Sequence, residues 1–262
     1  MMSQFIQVAI EAATTAGKYT RKRLDHHGFV KEKKGPADIV TEADIGTQKL
    51  IINIIKKNFP NHKILAEEQN NDKKVNLDGY VWAIDPIDGT SAFAAGLPTY
   101  SCSIALLKDK TPIVGAIYVA LLNEVVWAAK GKGRYSENKK VITNNKKNLF
   151  EATVGFDPAY FSRDEHFKSI AAPLARKIRI LPMIWSQAAS LSLIAKGIFD
   201  GYIQCGSPKT WDVAAGKLIV EEAGGIVTDF QGREVDIFNI NGYVAGAKSI
   251  HRQLLNYTKK IS

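Results

Sequence analysis

The segment Trp82-Ala83-Ile84-Asp85-Pro86-Ile87-Asp88-Gly89-Thr90 constrains this chain more than any other. Its apolar start reads as a buried strand, and it ends in two carboxylates, a proline, a glycine and a threonine suited to begin a helix. Such a strand must open its acids onto a cleft, because an ionised carboxylate buried without a partner is very costly. Pro86 fixes the backbone so that the Ile87 carbonyl can turn inward beside Asp85 and Asp88, and hard oxygen donors at that spacing suit a divalent cation. Gly89 and Thr90 then offer backbone N–H groups at a helix start, where the helix dipole favours phosphate. A plain Asp-Gly turn would explain Asp88 and Gly89 but requires neither Asp85, Pro86 nor Thr90.

The rest of the chain can build a core around that strand. With 262 residues, 45% hydrophobic and 23% charged, it has ordinary globular proportions, which excludes collagen, coiled coil and wholesale disorder. The longest uncharged run, Gly89 to Leu107, contains Gly96 and Pro98 among several hydroxyl residues, so no membrane span is expected. No basic stretch followed by an apolar one opens the chain, and the cytoplasm is the expected compartment. Cys102 and Cys205 lie far apart without a C-x-x-C pair and read as reduced core thiols. His26, His27, His62, His166 and His251 form no ligand-spaced pair, and none is assigned to metal. The formal charge of +9 is concentrated in Lys18 to Lys34 and Lys130 to Lys147. Neither stretch interleaves aromatics as a base-stacking platform does, so both read as solvated surface; nucleic acid is disfavoured as a partner without being excluded.

Periodicity divides the chain. Phe5, Ala9, Ala12, Ala13, Ala16 and Tyr19 predict an opening amphipathic helix that ends near His26-His27-Gly28. Thr41, with Asp44 three residues on, predicts a capped second helix whose apolar face runs through Ile45, Leu50, Ile51, Ile54 and Ile55 to the stop at Pro60. Strands are expected at 63–65, 80–84, 101–107, 112–120 and 125–129. Beyond about Asn144, strands at 153–156, 202–203 and 226–228 alternate with helices at 164–175, 186–196 and 212–223. The expected organisation is an α+β lobe, residues 1–145, carrying most of the acids, and an α/β lobe, 146–262, carrying Asp212, packed as one compact unit.

Two familiar acid motifs fail on spacing. Phosphatases of haloacid dehalogenase type place their two aspartates two residues apart, whereas Asp85 and Asp88 are three apart, and an EF-hand starting at Asp85 would put Ile87, Gly89 and Gly96 at ligand positions. The motifs instead resemble the magnesium-dependent, lithium-sensitive inositol monophosphatases. Asp85-Pro86-Ile87-Asp88-Gly89-Thr90 is similar to the first signature of that family, and Trp211-Asp212-Val213-Ala214-Ala215-Gly216 with Glu222-Ala223-Gly224-Gly225 to the second. Asp38-Ile39-Val40-Thr41-Glu42-Ala43-Asp44 and Glu67-Glu68 supply its upstream elements in order.

The resemblance implies a layered αβαβα sugar-phosphatase fold of mixed α+β and α/β character, commonly a homodimer. It implies that Glu67, Asp85 and the Ile87 carbonyl hold one Mg²⁺ and that Asp85, Asp88 and Asp212 hold a second. Glu68 is left between a third ion and a loop cap. It also implies that Asp38 and Thr90, assisted by Glu67, orient the attacking water, that Gly89 and Thr90 bind phosphate, and that Ala188, Gln204 and Asp212 face the substrate. Elementary electrostatics agrees on the metal, since acids converging in one cleft could not all stay ionised without cations. The expected reaction is hydrolysis of inositol monophosphate or a similar polyol phosphate. Histidinol phosphate, fructose 1,6-bisphosphate and 3′-phosphoadenosine 5′-phosphate stand as alternatives, and an RNA-linked regulatory partner as a reading of another class. The sequence departs from the family pattern at Ala66, at Tyr135-Ser136-Glu137-Asn138 and in a longer Ser207-Pro208-Lys209-Thr210. It departs above all at Gln204, where many members carry glutamate, and a neutral amide there predicts looser recognition of polyol hydroxyls.

Overall fold

Strand β4, Tyr80–Asp88, is apolar on both faces over most of its length, the pattern of a strand covered from two sides. The computed structural model, which describes residues 1–25, 30–35, 38–69, 75–136, 139–158 and 163–259 and no side chains at 30–35 and 38, places it second in a seven-stranded sheet. Across that sheet lie β3 (Lys63–Ala66), β4, β5 (Ser101–Lys108), β6 (Thr111–Val119), β7 (Glu124–Ala129), β8 (Gly133–Ser136) and β9 (Lys139–Lys140). β3 and β4 are parallel, and each later pair is antiparallel. A four-stranded sheet has the order β10 (Val154–Asp157), β11 (Gly201–Gln204), β13 (Tyr243–Gly246), β12 (Ile226–Thr228), with β10 and β11 parallel. A short antiparallel pair, β1 (Val30–Gly35) and β2 (Asp38–Thr41), leads into the second helix.

The layers follow from which residues share a core. Trp82 and Ile84 pack beneath α1 (Met2–Arg21) and α2 (Glu42–Asn58), while Val81 and Ala83 meet α6 (Gln187–Ala195) and α7 (Thr210–Glu222). The α6–α7 layer packs on its other side against Tyr202, Val227, Tyr243 and Ala245 of the small sheet. The far face of that sheet, with Val154, Phe156, Ile203 and Val244, is covered by the helical run 163–175 and by α8 (Lys248–Thr258). The result is the αβαβα layering that the resemblance implied.

Local chemistry explains most boundaries. Asp44 N–H reaches Thr41 Oγ1 at 3.4 Å and the Asp44 carboxylate accepts Thr41 N–H at 2.8 Å, closing the capping box that starts α2. Ile51 and Ile55 are fully buried on that helix, but Ile45 is 45% exposed and is no part of the core face. α1 ends at Arg21, and the expected break at His26-His27-Gly28 lies outside the described residues. The helix expected at 164–175 is three pieces: α4 (Arg163–His166), a π-helical stretch (Phe167–Ala171) and α5 (Ala172–Ala175). Pro173 lacks the N–H that an uninterrupted α-helix would bond to Ser169, and the preceding Ala172 N–H already reaches back five residues to the Phe167 carbonyl. Gly115 lets α7 approach the large sheet, since a Cβ there would sit 2.8 Å from the Ala215 carbonyl oxygen.

Candidate active site

Asp85 and Asp88 stand three positions apart, an odd offset, and would face opposite sides of an unbroken strand. β4 instead pairs Asp85 with Ser103 and Asp88 with Ser101, so it carries one residue more than β5 between those rungs. That bulge turns both aspartates to one side, the side of Ala83, toward the N-termini of α6 and α7. Pro86 sits inside the bulge. β3 stops at Ala66, paired with Ile84, so its ladder does not require the N–H that Pro86 lacks.

Asp88 is held tightly. Its Oδ2 accepts from Ser186 Oγ at 2.6 Å, from Ala188 N–H at 2.7 Å and from Ser101 Oγ at 3.0 Å, which places the carboxylate on the first turn of α6. Burial pushes its pKa up, and these hydrogen bonds pull it back. Asp85, 2% exposed, has an Oδ1 with no hydrogen-bond partner. Burial, then the charges of Glu67, Asp88 and Asp212, hold its carboxyl well above the usual carboxylate range. Asp212, in the first turn of α7, accepts Lys209 N–H at 2.8 Å, and burial followed by the charges of Glu67 and Asp88 raises it strongly as well. Glu67 opens the 3₁₀ turn Glu67–Gln69 directly after β3, so the parallel β3–β4 register brings it beside Asp85.

Among the described residues, no three His, Cys, Asp or Glu side chains are already drawn together closely enough to grip a metal ion. The donor set nevertheless fits a hard cation. The charges of neighbouring acids hold the Asp85 and Asp212 carboxyls up, and Asp85, the more buried of the two, presents an unpartnered oxygen, which is the lone-pair surplus that a divalent ion satisfies.

Thr90 begins the short helix α3 (Thr90–Ala94). Its hydroxyl lies 3.1 Å from Asp44 Oδ1 and 2.9 Å from the Ile87 carbonyl oxygen, with both as acceptors for its one hydrogen. Burial is the main reason that the Asp44 carboxyl is pushed up to about 6, against hydrogen bonds from Thr41 and Thr90. Asp38, the expected partner of Thr90, begins β2, and its side chain lies outside the described residues. Asp44 stands in the sequence as a helix cap and as the end of the upstream motif; its other oxygen faces Thr90, and the spacing of a capping box gives no sign of that contact. Gly89 takes φ +92°, and a Cβ there would come 2.8 Å from the Trp185 carbonyl, so both conformation and space require glycine.

Other expected residues are placed differently. Ala188 is fully buried and its N–H is committed to Asp88. Gln204, 8% exposed, is bound on both sides: its Oε1 lies 2.7 Å from Tyr202 Oη, and its Nε2 donates to the Cys205 carbonyl at 2.8 Å. Tyr202 Oη is also 2.6 Å from Asp157 Oδ2, so one phenolic hydrogen faces two acceptors. Burial, with the charge of Asp88 adding to it, pushes Asp157 up to about 6 although Tyr202 stabilises its anion. Glu68 is half-buried, and its N–H bonds Gln48 Oε1 at 3.0 Å. Lys146, read as solvated surface, reaches the buried Asp200 Oδ2 at 3.0 Å; Asp200 also caps Thr153 N–H at 2.8 Å, so this lysine is structural. Ser101 and Ser186, which hold Asp88, carry no motif that could have singled them out.

Comparison with known proteins extends this picture. The family model for inositol monophosphatases matches residues 1–262. The chain is 38% identical over 251 residues to inositol monophosphatase 2 of Solanum lycopersicum, covering 90% of this chain and 91% of that one. It is 32% identical over 266 residues to a fructose-1,6-bisphosphatase/inositol-1-monophosphatase of Aquifex aeolicus, covering 99% and 97%. The structure of an IMPase from Thermotoga maritima superposes with a TM-score of 0.88 at 27% identity, covering 98% of this chain and 97% of that one.

Proposed function

From the premise that this chain belongs to the inositol monophosphatase family, and is therefore a phosphoric monoester hydrolase of a metal-dependent kind, we propose that it hydrolyses inositol monophosphate or a similar polyol phosphate with Mg²⁺. The observation that carries this reading is the bulge in β4, which turns Asp85 and Asp88 to one side, where the charges of Glu67, Asp88 and Asp212 all act on Asp85. Glu67, Asp85, the Ile87 carbonyl, Asp88 and Asp212 would hold two ions, and Glu68 a third. Bound there, Mg²⁺ supplies Lewis acidity that lowers the pKa of water and offsets charge on the ester oxygens.

The chain's own residues do the rest. Thr90 donates its hydroxyl hydrogen inward to Asp44 or to the Ile87 carbonyl, so its lone pairs remain to orient the attacking water. Asp44 stands one hydrogen bond behind it, with a carboxyl near 6 that can take up a proton at neutral pH. Asp38 and Glu67 are assigned to the same water. Gly89 and Thr90 direct backbone N–H groups of the α3 start to the phosphate, where a side chain at Gly89 would not fit. Asp212 and the α6 start, with Ala188 and Gln204 behind it, bound the substrate side.

The protein is further assigned to the cytoplasm as a lithium-sensitive homodimer. Both cysteines are free and buried, and among the described residues no helix is long and apolar enough to cross a membrane. Phosphate release from inositol 1-phosphate, histidinol phosphate, fructose 1,6-bisphosphate and 3′-phosphoadenosine 5′-phosphate, with Mg²⁺ and with EDTA, tests the reading. Metal-dependent release with inositol 1-phosphate foremost is expected; release unaffected by EDTA would overturn the mechanism.

A further inference from the structure

Strand β5 places a serine opposite each of the two aspartates of β4: Ser103 pairs with Asp85 and Ser101 with Asp88. Cross-strand partners share a face, so both serines stand on the side to which the bulge turns the acids. Their hydroxyls are used differently. Ser103 gives its hydrogen to the Trp211 carbonyl at 3.1 Å, and Asp85 keeps an oxygen without a partner. Ser101 turns to Asp88 instead, with its Oγ 3.0 Å from Oδ2.

Ser186 completes the arrangement from the other side. Its Oγ lies 2.6 Å from Asp88 Oδ2 and 3.0 Å from Ser101 Oγ, and it accepts Ala189 N–H at 3.3 Å as the N-cap of α6. With the Ser186 hydrogen directed to Asp88, the Ser101 hydrogen is left to serve Oδ2 and Ser186 Oγ between them, and Ala188 N–H adds a further donor to Oδ2 at 2.7 Å. Capping explains the bond to Ala189 but not the one to Asp88, since a cap uses the oxygen lone pairs and leaves the hydrogen free to point elsewhere. Ser101, inside a strand, caps nothing. Both serines are fully buried, where a hydroxyl kept only to fill space would cost more than alanine. The chain before Ser186 is held as well. Trp185 takes φ +59°, uncommon for any residue but glycine, and its carbonyl packs against Gly89, 2.8 Å from where a Cβ there would stand.

An oxygen on which these donors converge has its lone pairs committed, whereas a hard cation needs free ones. We propose that Ser101 and Ser186 are positioning residues, which turn Oδ2 of Asp88 into the protein and present Oδ1 to a divalent ion before that ion arrives. Asp85, to which Ser103 gives no hydrogen, is left for the ion itself to orient. This rests on the assignment of Asp88 to metal in the phosphatase reading and adds to it the pair of hydroxyls that sets the geometry of the site.

The test is calorimetric titration of Mg²⁺ into the wild type, Ser101→Ala, Ser186→Ala and Ser192→Ala, the last removing another fully buried hydroxyl of α6, whose hydrogen goes to the Ala188 carbonyl of its own helix. Loss of a hydrogen-bond partner behind a ligating side chain weakens metal binding by about 10–100-fold, so Ser101→Ala and Ser186→Ala should each bind Mg²⁺ on the order of tenfold more weakly, and Ser192→Ala within about twofold of the wild type. Turnover of inositol 1-phosphate then falls at limiting Mg²⁺ and largely returns at high Mg²⁺, with KM for the ester within about twofold, because neither hydroxyl is placed to touch it. Melting temperatures in EDTA report the packing contribution of each serine separately. Mg²⁺ affinity within about twofold of the wild type in either Ser101→Ala or Ser186→Ala, or an equal loss in Ser192→Ala, overturns the proposal. A wild type that takes up no Mg²⁺ at all overturns the phosphatase reading together with it.

Discussion

Replacing Asp85 by asparagine should stabilise the metal-free protein and abolish its response to magnesium. Asp85 is 2% exposed, one of its oxygens has no partner, and burial together with Glu67, Asp88 and Asp212 holds its carboxyl well above the usual range. A carboxyl raised in the folded state takes up a proton that the unfolded chain releases, so it opposes folding at every pH above the unfolded value, by about 1.4 kcal/mol for each unit between the two. Asparagine keeps the shape without that cost. In EDTA at pH 7.5 we expect Asp85→Asn to gain about 1–3 kcal/mol, which is roughly 2–10 °C in Tm for a chain of this size. The gain should shrink to a small fraction near pH 4, where the unfolded carboxyl is itself close to half protonated. Magnesium reverses the order: at a hundred times its Kd it would stabilise the wild type by about 2.7 kcal/mol and the variant hardly at all, while turnover falls on the order of a thousandfold or more. Thermal melts in EDTA and Mg²⁺ at both pH values check this. A variant less stable than the wild type in EDTA at pH 7.5, or one with the same magnesium shift, refutes the reasoning.

Thr90→Val should lower kcat by about 10²–10³ with KM nearly unchanged, and Thr90→Ser should restore it to within about tenfold, because only the hydroxyl reaches Asp44 and Ile87; steady-state kinetics of the pair decides. Gln204→Glu should cost about 2–4 kcal/mol in urea unfolding at pH 8, since it removes the donor to the Cys205 carbonyl and sets a second carboxylate against the Tyr202 hydroxyl that Asp157 already engages; unchanged stability would mean that the side chain leaves this network. His251, its ring 2.9 Å from Thr228 Oγ1, is pushed by burial from 6.5 down to about 4. The unfolded chain therefore binds the extra proton first, and stability present above about pH 6.5 is lost progressively toward pH 4, by up to about 3 kcal/mol. His251→Gln should lack that loss when urea midpoints at pH 7 and pH 4 are compared.

The strands and helices that bury large apolar runs were legible in the sequence because burial on both faces imposes composition directly. β4, β5, β6 and α2 stand within a few residues of where their patterns end. What stayed hidden were elements with little apolar content of their own. β9 is the exposed pair Lys139–Lys140, and β1 and β2 hold each other rather than a large sheet. In the site, acids with a fixed order along the chain could be read, but partnerships across it could not. Asp88 depends on Ser101 and Ser186, 13 and 98 residues away, and serine in a strand or before a helix is too common to signal a role. Asp44 shows the same limit from the other side: a residue already accounted for by local capping carries its second role unmarked.

Gln204 shows where an inference from residue type breaks. In the sequence it stands where a substrate-facing glutamate is expected, and the chemistry of amide against carboxylate follows correctly from that placement. The folded chain spends both ends of the amide internally, on Tyr202 and Cys205, and sets the carboxylate of Asp157 on the other side of the same phenol. A glutamate at 204 would meet that acid across a single hydrogen, so the pair Asp157 and Gln204 divides what one polar network can hold: one acid and one amide. If the proposed reaction holds, selectivity among phosphate esters has to come from side chains whose polar ends are not consumed in this network. Among the residues placed at the cleft, Asp212 in the first turn of α7 stands outside this network, its carboxylate accepting the Lys209 backbone N–H instead.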